Sequence, residues 1–225
     1  MSKFALVGAS LFNLSAYQVH DYEVTIAVDG GFGHLMDANI VPDAAIGDFD
    51  SLGYVPDACR VIEYPSHKDA SDMELALDEA IRCGADVIDI YGGLGGRFDH
   101  SLANCALVRH CASQGIAATL IGADLAMFVL DGKQFPSVTF DRFDAAVCNE
   151  TLDAPYISVF SYGGCAHGVC ERGLKYALDS ADLPDDCSRG LSNEFIGNAA
   201  CISVASGCLY VTIPCAALVH THRCK

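Results

Sequence analysis

At 225 residues, 52% of them hydrophobic, the chain is long enough to bury the core of one large domain or two small ones. A formal net charge of −16 argues against a duplex nucleic-acid partner, because binding to a phosphate backbone draws on clustered lysine and arginine. It leaves room for a nucleotide, whose charge a metal and two basic residues can meet locally.

Up to about residue 122, short apolar runs alternate with helical periodicity. Residues 4–7, 24–28, 87–90 and 117–121 read as strands, and this alternation predicts a mainly parallel sheet with helices on its faces. Asp29-Gly30-Gly31 ends the second of these strands. Gly47-Asp48-Phe49-Asp50-Ser51 follows an apolar run ending at Ile46. Residues two apart in an extended stretch point the same way, so Asp48 and Asp50 can reach one hard cation. The same four residues Asp-Phe-Asp-Ser are equally good turn material, with Asp48 opening the turn and Asp50 capping it.

Lys68-Asp69-Ala70-Ser71-Asp72 leads into Met73, Ala76, Leu77, Ala80 and Ile81, spaced as one face of an amphipathic helix that Gly84 stops. Ser71 and Glu74 form a capping box that puts Asp72 in the first turn. A carboxylate there stabilises the helix dipole and is also held rigidly enough to bind a metal. Lys68, just upstream, is a point charge within reach of phosphate oxygens.

Gly92-Gly93-Leu94-Gly95-Gly96-Arg97-Phe98-Asp99 follows a strand ending at Tyr91 and precedes a helix beginning near Asp99. Backbone N–H groups in such a turn approach phosphate closely, and the helix N-terminus adds favourable charge. The Gly-Lys-Ser/Thr ending of a P-loop is missing, which rejects that reading. Arg97 is the candidate bidentate phosphate ligand. Asp99 either caps the helix or contacts nucleotide or metal, and the two roles are compatible. Acids, a lysine, an arginine and a glycine-rich turn thus recur at successive strand ends, where an open α/β sheet places its ligand. The inventory suits a magnesium-bound polyphosphate.

Beyond residue 122 the helical pattern fades. Residues 156–160, 200–204 and 208–213 are the clearest strands, the last two reading as a hairpin across Ser206-Gly207, and this half reads as a small antiparallel sandwich or barrel. Ser192-Asn193-Glu194 falls in a polar loop before a strand and by itself is an ordinary turn. Cys165, His167 and Cys170, and then His220, His222 and Cys224, fall short of a four-ligand zinc set and read as core or surface residues. Twelve scattered cysteines, a start unlike a signal-peptide core and no apolar stretch of bilayer length predict a reducing cytoplasm and no membrane contact.

The ordered segments resemble the thiamine pyrophosphokinase family. The matching pieces are Asp29-Gly30-Gly31, the runs from Gly47 to Ser51 and from Lys68 to Asp72 with Glu74 and Leu77, Gly92 to Asp99 with His100 and Asn104, Gly173-Leu174-Lys175-Tyr176, and Ser192-Asn193-Glu194. The resemblance implies an α/β nucleotide domain over residues 1–122 and a thiamine-binding β-sandwich over residues 123–225. It implies transfer of the terminal pyrophosphoryl group of ATP to the hydroxyethyl oxygen of thiamine, with release of AMP. Asp48, Asp50 and Asp72 would then hold Mg2+, and Lys68 and Arg97 would meet the phosphates. Asp29, Gly30 and Gly95 would line the nucleotide, with Asp99 positioning nucleotide or metal. Ser192 and Asn193 would bind thiamine across a homodimer interface. The chain departs from the family at Phe32-Gly33, where Ala-Asn is common, at Ser71, where threonine is more frequent, and at Ala177, where proline often stands. Two alternatives remain: a haloacid-dehalogenase-like phosphatase with Asp48 as the covalent nucleophile, and a non-catalytic nucleotide or thiamine sensor.

Overall fold

The computed structural model describes residues 1–18, 20–50, 52–57, 60–65, 67, 69–143 and 156–225, so Ser51 and Lys68 of the motifs above lie outside the described residues. The chain divides into two compact units, one made of Met1–Val108 and Ile116–Ala123, the other of Arg109–Gly115 and Asp124–Lys225. Among the described residues no helix is long and apolar enough to cross a membrane.

In the first unit the elements run β1 (Lys3–Val7), α1 (Leu14–Gln18), β2 (Val24–Val28), α2 (Gly31–Asp37), β3 (Ala44–Gly47), β4 (Arg60–Glu63), α3 (Asp72–Arg82), β5 (Val87–Tyr91), α4 (Phe98–Ser113) and β6 (Ala117–Ile121). The strands pair in parallel in the order β6-β5-β1-β2-β3-β4. β3 and β6 are buried at every residue, as expected of strands covered on both faces, and for that reason they read as continuous apolar runs without alternation. The chain builds outward from β1 to β4 and then returns to β5 on the other side of β1. The sheet therefore has its topological switch between β1 and β5, and ligands bind at the carboxyl ends of such strands.

α3 forms where the spacing predicts it. Ser71 is the N-cap and its Oγ accepts from Glu74 N at 3.2 Å, while Met73, Ala76, Leu77 and Ala80 are buried. Gly84, at φ 88, ends it. α2 lies so close to β1 that a Cβ on Gly31 would stand 1.8 Å from the Val7 carbonyl oxygen. α4 begins at Phe98, which puts Asp99 inside the first turn and not at the cap position.

The second unit contains β7 (Leu125–Asp131), β8 (Ser137–Phe140), β9 (Tyr156–Ser161), β10 (Ala166–Arg172), β11 (Leu178–Leu183), β12 (Asn193–Glu194), β13 (Ala200–Ser203), β14 (Cys208–Pro214) and β15 (Thr221–Cys224). They make two antiparallel sheets, β12-β9-β14-β7 and β11-β10-β13-β8-β15. Phe128, Phe140, Val159, Ile202 and Val211 are among the buried side chains of this sandwich.

Two expectations change. Residues 200–213 are not a hairpin: β13 pairs with β8 and β10, while β14 pairs with β7 and β9. The chain switches sheets at Ser206-Gly207, where Ser206 bridges to His167 and Gly132 N donates to Gly207 O. A period-two strand has one inward face whether it folds back beside its neighbour or crosses a sandwich, so the Ser-Gly signal could not separate the two. Asn193-Glu194 is a short strand on Ile157 and Tyr156, not an open loop. His220 ends a 3-10 helix over Cys215–His220, so it shares no strand with His222, whose Nε2 meets Asp141 Oδ2 at 2.9 Å.

Candidate active site

The loop after β1 and the loop after β5 are joined through their backbones. Gly8 N donates to Tyr91 O at 2.8 Å and Ser10 N to Gly92 O at 3.1 Å, with Ser10 Oγ reaching Leu94 O at 3.0 Å. Gly92, at φ 61, is required here: a Cβ on it would lie 2.2 Å from Gly8 O. α4 ties down the rest of the turn, because Asn104 Nδ2 donates to Gly93 O at 2.8 Å and Ser101 Oγ accepts from Gly95 N at 3.1 Å.

These loops form one side of a crevice of about 840 Å³, whose lining includes Asp29, Asp48, Asp72, Gly95, Arg97 and Asp99. Six residues chosen from sequence therefore meet in one place. Gly30 and Asp50 are not among the lining residues, and Lys68 lies outside those described. Gly8, Ala9 and Ser10 also line the crevice and were not singled out from sequence. The signal was present, since a Gly-Ala-Ser turn directly follows the first strand and the carboxyl ends of parallel strands are where ligands bind.

Each acid is set by its own local structure. Asp29 stands at φ 48 at the end of β2, its N–H on Ile46 O at 2.8 Å. Asp48 Oδ1 accepts from Asp50 N at 3.2 Å, the turn contact that its sequence suits, and Phe49 between them is buried with φ 56. Asp48 is half-buried and Asp50 exposed. Asp72 is the first residue of α3, held by the Ser71 cap.

Arg97 and Asp99 form an exposed ion pair, Nη2 to Oδ2 at 2.6 Å and Nε to Oδ1 at 3.2 Å. The Arg97 guanidinium holds the Asp99 carboxyl down at about 2. Asp99 thus keeps the planar guanidinium oriented at the mouth of the glycine turn, beside the N-terminus of α4, whose dipole favours an anion.

Carboxylates are hard oxygen donors of the kind Mg2+ takes, and magnesium is commonly held through one or two of them plus substrate phosphates. Asp48 and Asp72 on one crevice fit such a nucleotide-borne ion. Among the described residues no group of three or more His, Cys, Asp or Glu side chains is placed to hold a metal by itself.

The second unit carries Ser192 and Asn193. Ser192 is at φ 58, and its N–H reaches Ser158 Oγ at 2.9 Å. Asn193 is buried, with Oδ1 accepting from Tyr176 N and Glu194 N, each at 2.9 Å, and Nδ2 donating to Tyr176 O at 2.6 Å and to Glu171 Oε2 at 2.5 Å. All four of its hydrogen-bonding positions are filled inside the sandwich, so Asn193 organises the segment, while Ser192 is the more accessible of the two. Glu171 was not singled out from the sequence.

Asp48 follows the third strand of the parallel sheet and shares its crevice with the Gly92 turn. The phosphatase alternative places its nucleophile after the first strand and leaves that turn unexplained, so it is not supported.

Residues 17–120 match the family model described as thiamin pyrophosphokinase, catalytic domain, and residues 147–209 match thiamin pyrophosphokinase, vitamin B1 binding domain. A relative from Bacillus subtilis (strain 168) named thiamine pyrophosphokinase is 31% identical over 197 residues, covering 84% of this chain and 86% of its own. The crystal structure of a Bacillus subtilis thiamine pyrophosphokinase superposes with a TM-score of 0.80 at 25% identity, over 95% of this chain and 99% of that one. An Enterococcus faecalis thiamin pyrophosphokinase family protein gives 0.77 at 26% identity over the same shares.

Proposed function

Because the chain belongs to the thiamin pyrophosphokinase family, we propose that its crevice passes the pyrophosphoryl group of ATP to the hydroxyethyl oxygen of thiamine, with AMP as the leaving group. The chain is a thiamine diphosphokinase. The observation that carries the site assignment is the meeting of Asp48, Asp72, Arg97 and the Gly92 turn in one crevice at the switch point of the sheet.

In the transfer a bond forms from the thiamine oxygen to the β-phosphorus, the bond from that phosphorus to the α-phosphate oxygen breaks, and the hydroxyl proton passes to water or to a crevice carboxylate. The work of the residues is positioning and charge stabilisation. The glycine turn and the first turn of α4 offer N–H groups to the phosphates, and Arg97, oriented by Asp99, offers a planar pair of donors. Asp29, which lines the crevice, and Gly30, next to it in the chain, are assigned to the nucleotide, and Lys68 to its phosphates. Asp48, Asp50 and Asp72 would hold Mg2+, which supplies Lewis-acid neutralisation of the phosphate charge when bound.

We assign thiamine to the Ser192 segment of a homodimer in which one copy completes the crevice of the other. Support comes from the exposed apolar side chains around β12, namely Tyr156, Tyr176, Leu191 and Ile196. A cytoplasmic location accords with the free thiol state of every described cysteine.

Incubation with magnesium, ATP and thiamine, followed by chromatography of the nucleotides, tests the reaction. AMP formed only when thiamine is present is the expected result. ADP or phosphate released without regard to thiamine would remove both the reaction and the role given to Ser192.

A further inference from the structure

Glu171 lies on β10 and is 2% exposed. Its partners across the sheet, Leu178 and Ile202, are uncharged. Oε2 accepts from Asn193 Nδ2, and Oε1, also buried, has no hydrogen-bond partner among the described residues. Burial pushes the carboxyl above the ordinary range, against the opposing pull of the Asn193 bond. A buried acid with a single donor is costly, and an apolar side chain of similar size would pack there without that penalty. The residue therefore has a use other than packing.

That use is visible in what it does to Asn193. The two ends of an amide have nearly the same shape and differ in that one donates and the other accepts. Glu171 presents an acceptor oxygen to Asn193, so it fixes the amide with Nδ2 toward itself and Oδ1 toward the N–H groups of Tyr176 and Glu194. The segments at 173–176 and 192–194 are then locked together, with Lys175 N on Glu194 O at 3.0 Å and Lys175 Nζ on Glu194 Oε1 at 2.6 Å. Ser192, whose left-handed backbone is unfavourable for a serine, is the residue this lock restrains.

We propose that Glu171 is a positioning residue for thiamine: from the opposite sheet of the sandwich it sets the amide of Asn193 and so fixes Ser192 and Tyr176 as the substrate meets them. The proposal rests on the assignment of the Ser192 segment to thiamine.

The test compares Glu171→Leu, Glu171→Gln and Ser192→Ala in the full chain, by steady-state kinetics and by amide hydrogen exchange at Tyr176 and Glu194. Glu171→Leu should raise KM for thiamine about tenfold, leave KM for ATP within about twofold, and speed exchange at both amides about tenfold. Glu171→Gln keeps an oxygen that accepts from Asn193 and should stay within about threefold of the parent in every reading. Glu171→Met replaces the leucine variant should that fail to fold. Unchanged exchange in the apolar variant, or a glutamine variant as impaired as leucine, overturns the proposal. Faster exchange with an unchanged thiamine KM in both Glu171→Leu and Ser192→Ala also overturns it. In that case the assignment of the segment to thiamine is what failed, because the hold on Asn193 would have been demonstrated separately.

Discussion

Phe49 is 2% exposed at φ 56, an unfavourable backbone for a bulky residue, and its buried ring anchors the turn that carries Asp48 and Asp50. The carboxylates can be exchanged without touching that anchor. Asp50→Asn should therefore lower kcat by about a hundredfold or more while shifting Tm by no more than about 2 °C, read by parallel kinetics and thermal melts. Equal loss of both would return Asp50 to a turn-capping role. Phe49→Ala should instead cost about 3–5 kcal/mol of stability in urea titrations, with activity falling as the loop loosens. The candidate acids were legible because oxygen donors at strand ends are written in residue types. The strain at Phe49 was not, since Asp-Phe-Asp says nothing about the sign of φ, and Glu171 was hidden because burial depends on which sheet faces it.

Elements with their own local signals were read correctly, as was the parallel sheet of the first half, but the partners of β13 and β14 were not. α3 carries its cap, its apolar face and its stop within one short stretch, and it forms as spaced. β13 and β14 are each recognisable as strands, but their partners β10 and β9 lie elsewhere in the chain, so their assignment to different sheets could not be read locally. β10 also carries a pH dependence. Glu171 binds a proton more readily in the folded chain than in the unfolded one, so its penalty is fully present above its raised folded pKa and is relieved as pH falls toward the unfolded carboxyl range near about 4.3. The stability of the parent relative to Glu171→Gln should therefore improve as pH falls from neutrality through that window, measured by urea midpoints. A difference that is flat with pH would mean the carboxyl is not perturbed.

At the scale of the molecule, the net charge of −16 is a field as well as a solubility device. Thiamine is cationic, so kcat/KM for thiamine should fall as salt is raised to about 0.2 M, where screening shortens the reach of the field to under about 10 Å. An unchanged value would leave the charge to solubility alone. Leu191→Glu places a charge in the apolar surround of β12 and should shift the chain from dimer to monomer in sedimentation velocity, with thiamine turnover lost alongside. A monomeric parent would remove that assignment. The change in sequence rhythm falls near residue 122, whereas the placing of Arg109–Gly115 with the second unit depends on packing that no local pattern encodes. The crevice has Gly8, Gly92, Gly93, Gly95 and Gly96 along it, and side chains on Gly8 or Gly92 would run into the carbonyl oxygen of the other. An inhibitor that gripped those peptide groups, and not Arg97 or Asp99, would leave a population under selection few escape substitutions, because resistance at either glycine would have to move the backbone that joins the two loops.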